Sequence, residues 1–214
     1  MTLKERYEDV IAILQDKYGY MDTELNYDNP FQLLIATVLS AQCTDKRVNA
    51  VTPELFRAFP TPQRMGEAPV EEIFEYIKSV SYPNSKAGYL QGIGKMLSQQ
   101  FGGQVPSTLE ELTKLPGVGR KTANVVQAFA FGKETLAVDT HVFRVSHRLG
   151  LVPERCTTPL SVEKYLVAHL PKERIAPSHS WILLQGRYVC KSQKPQCQKC
   201  ELTAYCKAYS KQKF

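Results

Sequence analysis

The sequence predicts an all-α protein, and three observations lead to this prediction. Apolar residues recur three and four positions apart along most of the 214-residue chain, which is the spacing of one face of a helix. Residues that favour helix caps precede many of these segments. Strand-like segments are few, and the best short candidate is the weak pattern ETLAVDT, Glu134 to Thr140. We therefore expect helices joined by short connections.

The first helices can be placed from their caps. The N-terminal helix is amphipathic, with apolar residues from Tyr7 to Tyr18 on one face. Asn29 caps and Pro30 opens FQLLIATVLSAQ, which is apolar on most faces and is expected to be buried. Further helix starts are predicted at Thr44 or Asp45, at Ala68-Pro69, at Asn84 and, through a capping box, at Ser107 with Glu110.

The C-terminal half continues the helical pattern. A helix from Arg120 to about Phe131 is expected to stop at Gly132. Later helices are predicted near Leu160–His169 and Ser178–Arg187. The sequence contains no repeat with a period of 20–50 residues, which argues against a solenoid.

The composition is that of an ordinary globular chain with a basic end. Charged residues make up 22% and apolar residues 43%, so the chain can bury a substantial core. The segment from Gly186 to Phe214 accounts for the net charge of +6, because it has seven basic residues and a single acid, Glu201. The seven are Arg187, Lys191, Lys194, Lys199, Lys207, Lys211 and Lys213. Such a cluster suits a polyanion such as nucleic acid, although a solvated tail is the other interpretation.

The chain has no candidate membrane or export segment. No stretch approaches the roughly 18 consecutive apolar residues of a membrane span. The N-terminus MTLKERYEDVIAILQDKYG is charged throughout and lacks the apolar stretch of a signal peptide. We expect a cytoplasmic protein that has no membrane contact and is a monomer.

Four of the six cysteines cluster near the C-terminus with the spacing C-x6-C-x2-C-x5-C. They are Cys190, Cys197, Cys200 and Cys206. Because cytosolic thiols are normally reduced, this grouping suggests metal before disulfides. Four thiolates can hold zinc or an iron–sulfur cluster, and the spacing alone does not choose between them.

The stretch LPGVGRKTANVV, Leu115 to Val126, predicts a tight turn followed by a helix. Glycines allow the turn, and its consecutive N–H groups can form an anion-binding nest with the helix start. The turn residues are Gly117, Val118, Gly119 and Arg120. A phosphate is the natural occupant. Lys121, on this stretch alone, is more simply a phosphate ligand than a catalytic group.

The stretch AVDTHVFRV, Ala137 to Val145, begins another helical pattern. Asp139 stands where an N-cap is expected, and this structural role is the simpler interpretation of an isolated aspartate. His141 is likewise more simply structural than catalytic.

Taken together, these motifs resemble the endonuclease III family of DNA glycosylases over nearly the whole chain. LPGVGRKTA is similar to the family's helix–hairpin–helix and VDTH to its catalytic aspartate segment. LSAQCTD is similar to its LSAQ-x-TD segment, and the four cysteines have the spacing of its [4Fe–4S] ligands. The joint order and spacing make the resemblance specific.

The resemblance implies two helical domains that flank a DNA-binding cleft. One is a six-helix barrel with the helix–hairpin–helix, over residues 22–132. The other joins residues 1–21 to residues 133–214 and holds a [4Fe–4S] cluster as cofactor. The implied partner is double-stranded DNA containing damaged bases or abasic sites, which places the protein at the nucleoid.

The resemblance also assigns catalytic roles, which differ from the simpler interpretations above. Lys121 matches the family's nucleophile and Asp139 its catalytic carboxylate. An amine attacks a sugar carbon only when neutral, and a helix N-terminus, Arg120 and a partly dry cleft all disfavour its ammonium form. The implied activity is that of a bifunctional DNA glycosylase and AP lyase of base excision repair, acting on oxidised pyrimidines and cleaving 3′ to abasic sites.

Three further residues are implied to contact DNA. Gln42, in LSAQ, matches a residue that fills the gap left by a flipped base. The family often has Leu-Tyr before NSKA, whereas this chain has Tyr82-Pro83, so Tyr82 is expected to be a second, aromatic wedge. The cysteine loop is expected to orient Lys191 towards phosphates.

Two alternatives are compatible with the motifs. A mismatch-specific adenine or thymine glycosylase of the same superfamily is the first; the adenine enzymes typically lack the lysine and have an additional C-terminal domain. A non-catalytic helix–hairpin–helix module with structural zinc is the second, and it leaves Lys121 and Asp139 unexplained.

Overall fold

The structure, a computed structural model, describes residues 1–19 and 23–211. All regular secondary structure in these residues is helical, which confirms the predicted all-α class. The α-helices are α1 (Leu3–Tyr18), α2 (Pro30–Ser40), α3 (Asp45–Ala58), α4 (Pro62–Glu67), α5 (Val70–Ile77), α6 (Pro83–Gln100), α7 (Leu109–Leu112), α8 (Arg120–Phe131), α9 (Thr140–Leu149), α10 (Pro159–His169), α11 (Lys172–Leu184) and α12 (Lys207–Ser210). A π-helical turn, Gln185–Val189, follows α11 directly.

The chain divides into two compact units. The central unit is Thr23–Lys133, and the terminal unit combines Met1–Asp22 with Glu134–Phe214. Each unit has its own apolar core. Lys213 and the predicted domain boundary at residues 21 and 22 lie outside the described residues.

Helix α2 forms the centre of the core of the central unit. Asn29 accepts a hydrogen bond from the Gln32 N–H at 3.0 Å, and Pro30 occupies the first helical position. Every residue from Leu33 to Leu39 is buried, so α2 has no solvent face over two turns. Helix α8 packs against it. Because α8 packs on this buried helix, the position of its first turn is fixed.

The terminal unit closes around helix α1. The Trp181 Nε1–H donates to the Gly19 carbonyl at 2.7 Å, and the Tyr7 hydroxyl donates to the Leu151 carbonyl at the same distance. The buried face of α1, with Val10 and Ile11, joins the core that α9 and α11 form. The beginning of the chain is thus built into the same unit as the residues from Glu134 onward.

Two predicted helix starts are wrong by one or two residues. Helix α6 begins at Pro83 rather than after Asn84, because the proline ring suits the first helical position. The cap of α7 is Thr108 with Glu111, not Ser107 with Glu110: the Thr108 hydroxyl accepts from the Glu111 N–H at 3.2 Å.

Two other predictions in the terminal unit also need correction. The segment Glu134 to Thr140 forms no strand, and its middle residues, Leu136 to Val138, are buried in the core. Helix α11 starts at Lys172, six residues before the predicted Ser178, and includes Pro177 within it. No helix among the described residues has the length and apolar character that crossing a membrane requires.

Candidate functional site

The hairpin before α8 rests on helix α6. Gly117 has φ +72°, and a Cβ there would lie 2.6 Å from the Tyr89 ring. One turn further along α6, a Cβ on Gly92 would lie 2.9 Å from the Pro116 ring. Both the left-handed backbone and the close ring therefore require glycine at position 117.

Gly119 differs from Gly117 in both respects. Its backbone is extended, with φ −91°, and it is the N-cap of α8. A Cβ at this position would meet no atom within 4 Å. The space in front of the helix start is thus open, and the aligned N–H groups there favour an anion.

The two cations predicted at the helix start are found there. Arg120 and Lys121 are the first two residues of α8, and both are exposed. From Ala123 to Ala128 every residue is buried, so the middle of α8 is closed to a ligand whereas its first turn is open.

Val118 cannot offer a side chain to a ligand. It is 6% exposed and belongs to the core of the central unit. Its N–H donates to the Leu115 carbonyl at 3.1 Å, which closes the turn. Any contribution of Val118 to binding comes from the path of its main chain.

Gln42 and Tyr82 are both exposed residues of the central unit with left-handed backbone conformations. Gln42 follows the end of α2 and has φ +54°. Tyr82 precedes α6, has φ +56° and is 63% exposed. Non-glycine residues in this region are uncommon and concentrate at functional positions.

Lys86 is a buried residue near these two positions, and it belongs to none of the motifs that predicted the site. It is 4% exposed, and it shares a helix face with Leu90, Ile93 and Leu97. A lysine at a position that helical spacing assigns to the core was the available signal.

Asp139 caps α9, as predicted from the sequence. Its Oδ1 accepts a hydrogen bond from the Val142 N–H at 2.8 Å. A carboxylate has two oxygens, so this cap fixes one and leaves the group able to act through the other. The main chain two residues before Asp139 is also fixed, because the buried His179 contacts the Ala137 carbonyl through Nδ1 at 2.9 Å.

Two arginines of α9 hold the loop that contains the first clustered cysteine. Arg144 donates to the Cys190 carbonyl at 3.1 Å and to the Gly186 carbonyl at 2.9 Å. Arg148 donates to the Lys191 carbonyl at 2.7 Å and approaches the Cys190 Sγ at 3.5 Å. The helix that begins at Asp139 thus also fixes the cysteine segment.

The four clustered cysteines line a single cavity. Cys190, Cys197, Cys200 and Cys206 are half-buried around it, together with Val145 and Leu149 of α9. Burial raises the pKa of the Cys200 thiol, and the charges of Cys190 and Cys206 raise it further. Within residues 1–19 and 23–211, no group of three histidine, cysteine or acidic side chains is arranged so that it could hold a metal ion.

An amide also points at this cavity. The Gln185 Nε2–H donates to the Cys200 Sγ at 3.3 Å, and the Tyr18 hydroxyl donates to Gln185 Oε1 at 2.7 Å. Hydrogen bonds to sulfur favour its thiolate form. The chemistry of this donor set, four thiols with such a neighbour, fits a thiolate-bound iron–sulfur cluster, in which each thiolate binds a different iron and no three ligands need to meet at one ion.

The basic residues of the C-terminal segment do not all face solvent in the same way. Lys191, Lys194 and Lys199 are exposed on the cysteine segment. The stem of Lys207 packs over Gly150, where a Cβ would lie 2.4 Å from it. The first three remain available to phosphates, whereas Lys207 also has a packing role.

Comparison with known proteins identifies the family. Residues 35–172 match the model of the HhH-GPD superfamily base excision DNA repair protein. Endonuclease III of Bacillus subtilis is 45% identical over 192 residues, which are 90% of this chain and 87% of that protein. The chain belongs to the endonuclease III family.

Further similarities extend over nearly the full length of this endonuclease III family member. Endonuclease III of Escherichia coli K12 is 41% identical over 95% of both chains. The structure also matches a trapped endonuclease III–DNA covalent intermediate, an estranged-adenine complex, with a TM-score of 0.92 and 43% identity over 99% of both chains. The resemblance stated from the motifs is thereby confirmed.

Proposed function

We propose that the chain is a bifunctional DNA glycosylase and AP lyase of base excision repair, with oxidised pyrimidines and abasic sites in double-stranded DNA as substrates. One observation above all supports this: Lys121 is exposed at the start of α8, in a chain that closely matches an endonuclease III trapped as a covalent intermediate with DNA. The glycine hairpin before it provides open space for a phosphate.

The proposed reaction begins at the amine of Lys121. The damaged nucleotide is rotated out of the stack, and the neutral amine attacks C1′ of its deoxyribose. The new N–C bond forms as the glycosidic bond breaks, and the base leaves with that electron pair and takes up a proton. The amine nitrogen then expels the ring oxygen, which gives a Schiff base.

Strand cleavage follows from the Schiff base by β-elimination. Loss of a C2′ proton expels the 3′ phosphate, so the strand breaks on the 3′ side of the lesion. Asp139 has two proposed contributions: it accepts the proton that Lys121 loses, or it stabilises positive charge on the sugar in the transition state. Its cap on α9 supports either one, because the carboxylate position is fixed in advance.

The four clustered cysteines are proposed to bind a [4Fe–4S] cluster. Their thiols line one cavity, and the Gln185 amide and Arg148 guanidinium each donate to one of the sulfurs. The cluster would tie together the segment from Cys190 to Cys206. Lys191, Lys194 and Lys199 lie within this segment, so they would be held on a fixed loop for contact with phosphates.

The function is tested by borohydride trapping on duplexes that contain an abasic site or thymine glycol. The expected result is a covalent protein–DNA adduct for the wild type and none for Lys121→Ala. Lys114→Ala is the control, since Lys114 is an exposed lysine of the same unit outside the hairpin. A panel that includes adenine and thymine mismatches covers the mismatch-glycosylase alternative. An undiminished adduct in Lys121→Ala would remove that residue from the role.

A further inference from the structure

The ammonium group of Lys86 joins two helix ends of the central unit. Its Nζ donates to the carbonyls of Leu39 and Ala41, each at 2.7 Å. These carbonyls belong to the end of α2, where helix carbonyls lack intrahelical partners and have partial negative charge. Lys86 itself lies in the first turn of α6. One side chain therefore caps the end of one helix from the start of another.

Gln42 and Tyr82 both lie next to these contacts. Gln42 directly follows Ala41, whose carbonyl accepts from Lys86. Tyr82 is the N-cap of α6, and its carbonyl accepts the first-turn helical hydrogen bond from the Lys86 main-chain N–H at 3.1 Å. The contacts of the Lys86 ammonium with the end of α2 therefore fix the helix start to which Tyr82 belongs. Each of these backbone conformations is unfavourable for a residue with a side chain, and it persists only when the surroundings fix it.

The position of Lys86 excludes a direct role in DNA binding. The side chain is 4% exposed, and its ammonium donates to two main-chain carbonyls. Burial lowers the pKa of Lys86, and the charge of Cys43 opposes this effect. A phosphate cannot reach such a group, so its contribution must pass through the residues that it holds.

We propose that Lys86 is a positioning residue that holds Gln42 and Tyr82 in their left-handed conformations at a fixed separation, so that both enter the duplex together at a flipped nucleotide. The proposal rests on the proposed function. A group that fills the place of a flipped base must keep its geometry while the stack closes against it. Fixing both groups before binding lowers the entropy that binding would otherwise cost.

The test is a double-mutant cycle between Lys86 and Gln42. Binding is measured with a duplex that contains a tetrahydrofuran abasic-site analogue, which cannot form a Schiff base. We expect Lys86→Met to weaken this binding about tenfold, and Lys86→Met combined with Gln42→Ala to weaken it little more than Gln42→Ala alone. A second cycle with Tyr82→Ala is expected to show the same non-additivity.

Two controls distinguish a loss of positioning from the loss of a positive charge and from general damage to the protein. Lys95→Met removes one positive charge from an exposed residue of the same helix and is expected to bind like the wild type. Borohydride trapping on a single-stranded abasic oligonucleotide, where no stack must be filled, is expected to stay within about twofold of wild type in Lys86→Met. Circular dichroism establishes folding, and Lys86→Gln, which keeps a donor, replaces the methionine variant in the cycle if that variant unfolds.

The outcomes distinguish the proposal from the function on which it rests. Additive losses in both cycles, or equal losses on single strands and duplexes, would overturn the positioning role of Lys86. A wild-type protein that forms no adduct on any lesion would overturn the proposed function instead. In that case the binding cycle with the abasic-site analogue still tests whether Lys86 acts through Gln42 and Tyr82.

Discussion

The Tyr89 ring lies against Gly117, at a distance that leaves no room for a Cβ: a methyl group there would lie 2.6 Å from the ring. A Cβ added to Gly119, two residues later, would meet no atom within 4 Å. The two glycines of the hairpin are thus present for different reasons. The first is required by the fold, and the second leaves space for a ligand.

Substitution of the two glycines is expected to have opposite effects on stability. In left-handed backbone, a residue with a Cβ costs roughly 1–2 kcal/mol. Gly117→Ala should lower the free energy of unfolding by more than this amount, because the new methyl group also displaces Tyr89. Gly119→Ser should leave stability equal or raise it slightly, since serine is a better N-cap than glycine. DNA affinity should fall in both. Thermal unfolding and duplex binding check this; a stable Gly117→Ala variant would contradict it.

Asp139 can be tested for its two roles separately. Asparagine caps helices as well as aspartate does but has no charge, so Asp139→Asn should keep the unfolding free energy and lose catalysis roughly 100-fold. Asp139→Ala should lose a similar factor in rate and, in addition, about 1 kcal/mol of stability. Single-turnover kinetics and urea unfolding measure the two effects. Full activity in Asp139→Asn would leave the residue with the cap alone.

Substitution of a clustered cysteine is expected to change the colour of the protein, whereas substitution of Cys43 or Cys156 is not. Cys200→Ser should abolish the absorption band at about 400 nm that a [4Fe–4S] protein shows, because the cavity loses one of its four thiols. Cys43→Ser is the matched control, since Cys43 is a partly buried thiol of the central unit. A colourless wild type that contains zinc would support the binding-module alternative instead.

Tyr7 is expected to make the protein sensitive to alkaline pH. Burial raises the pKa of Tyr7, with smaller contributions from Tyr165 and Cys156. Because the folded state resists ionisation more than the unfolded state, the stability from Tyr7 is complete below the unfolded pKa of about 10 and is lost as the pH rises above it.

Substitution by phenylalanine should change this pH dependence. Tyr7→Phe removes the bond to the Leu151 carbonyl, so the unfolding free energy at neutral pH should fall by about 1 kcal/mol. Above pH 10, roughly the unfolded tyrosine pKa, the variant should lose stability less steeply than the wild type. Tyr82→Phe, at an exposed position, is the control and should leave the unfolding free energy and its pH dependence unchanged. Parallel curves for wild type and Tyr7→Phe would contradict the expectation.

Local signals predicted much of the helical framework. Asn29 with Pro30, Gly132 and Asp139 each specify a helix end by their own chemistry, and the structure places helix ends at these residues. At Ser107 and Thr108 two hydroxyl residues stand side by side, and only packing decides between them. The choice of Thr108 was therefore beyond local reasoning.

The parts of the site that the sequence did not reveal depend on contacts between distant segments. Lys86 is significant only because the carbonyls of Leu39 and Ala41 lie within reach of its ammonium. Gln185 and Arg148 approach the cysteine sulfurs from other elements of the terminal unit. The catalytic roles of Lys121 and Asp139, by contrast, came from motif resemblance, and they stay predictions.

The hydrogen bond from Trp181 to the Gly19 carbonyl has a consequence for synthesis on the ribosome. The central unit is one continuous stretch and can fold once Lys133 has emerged from the exit tunnel. Helix α1 is made first, yet the residues that cover its apolar face are translated more than a hundred positions later. The apolar face of this segment therefore lacks its packing partners until those residues are made, and we expect chaperones to bind it during translation.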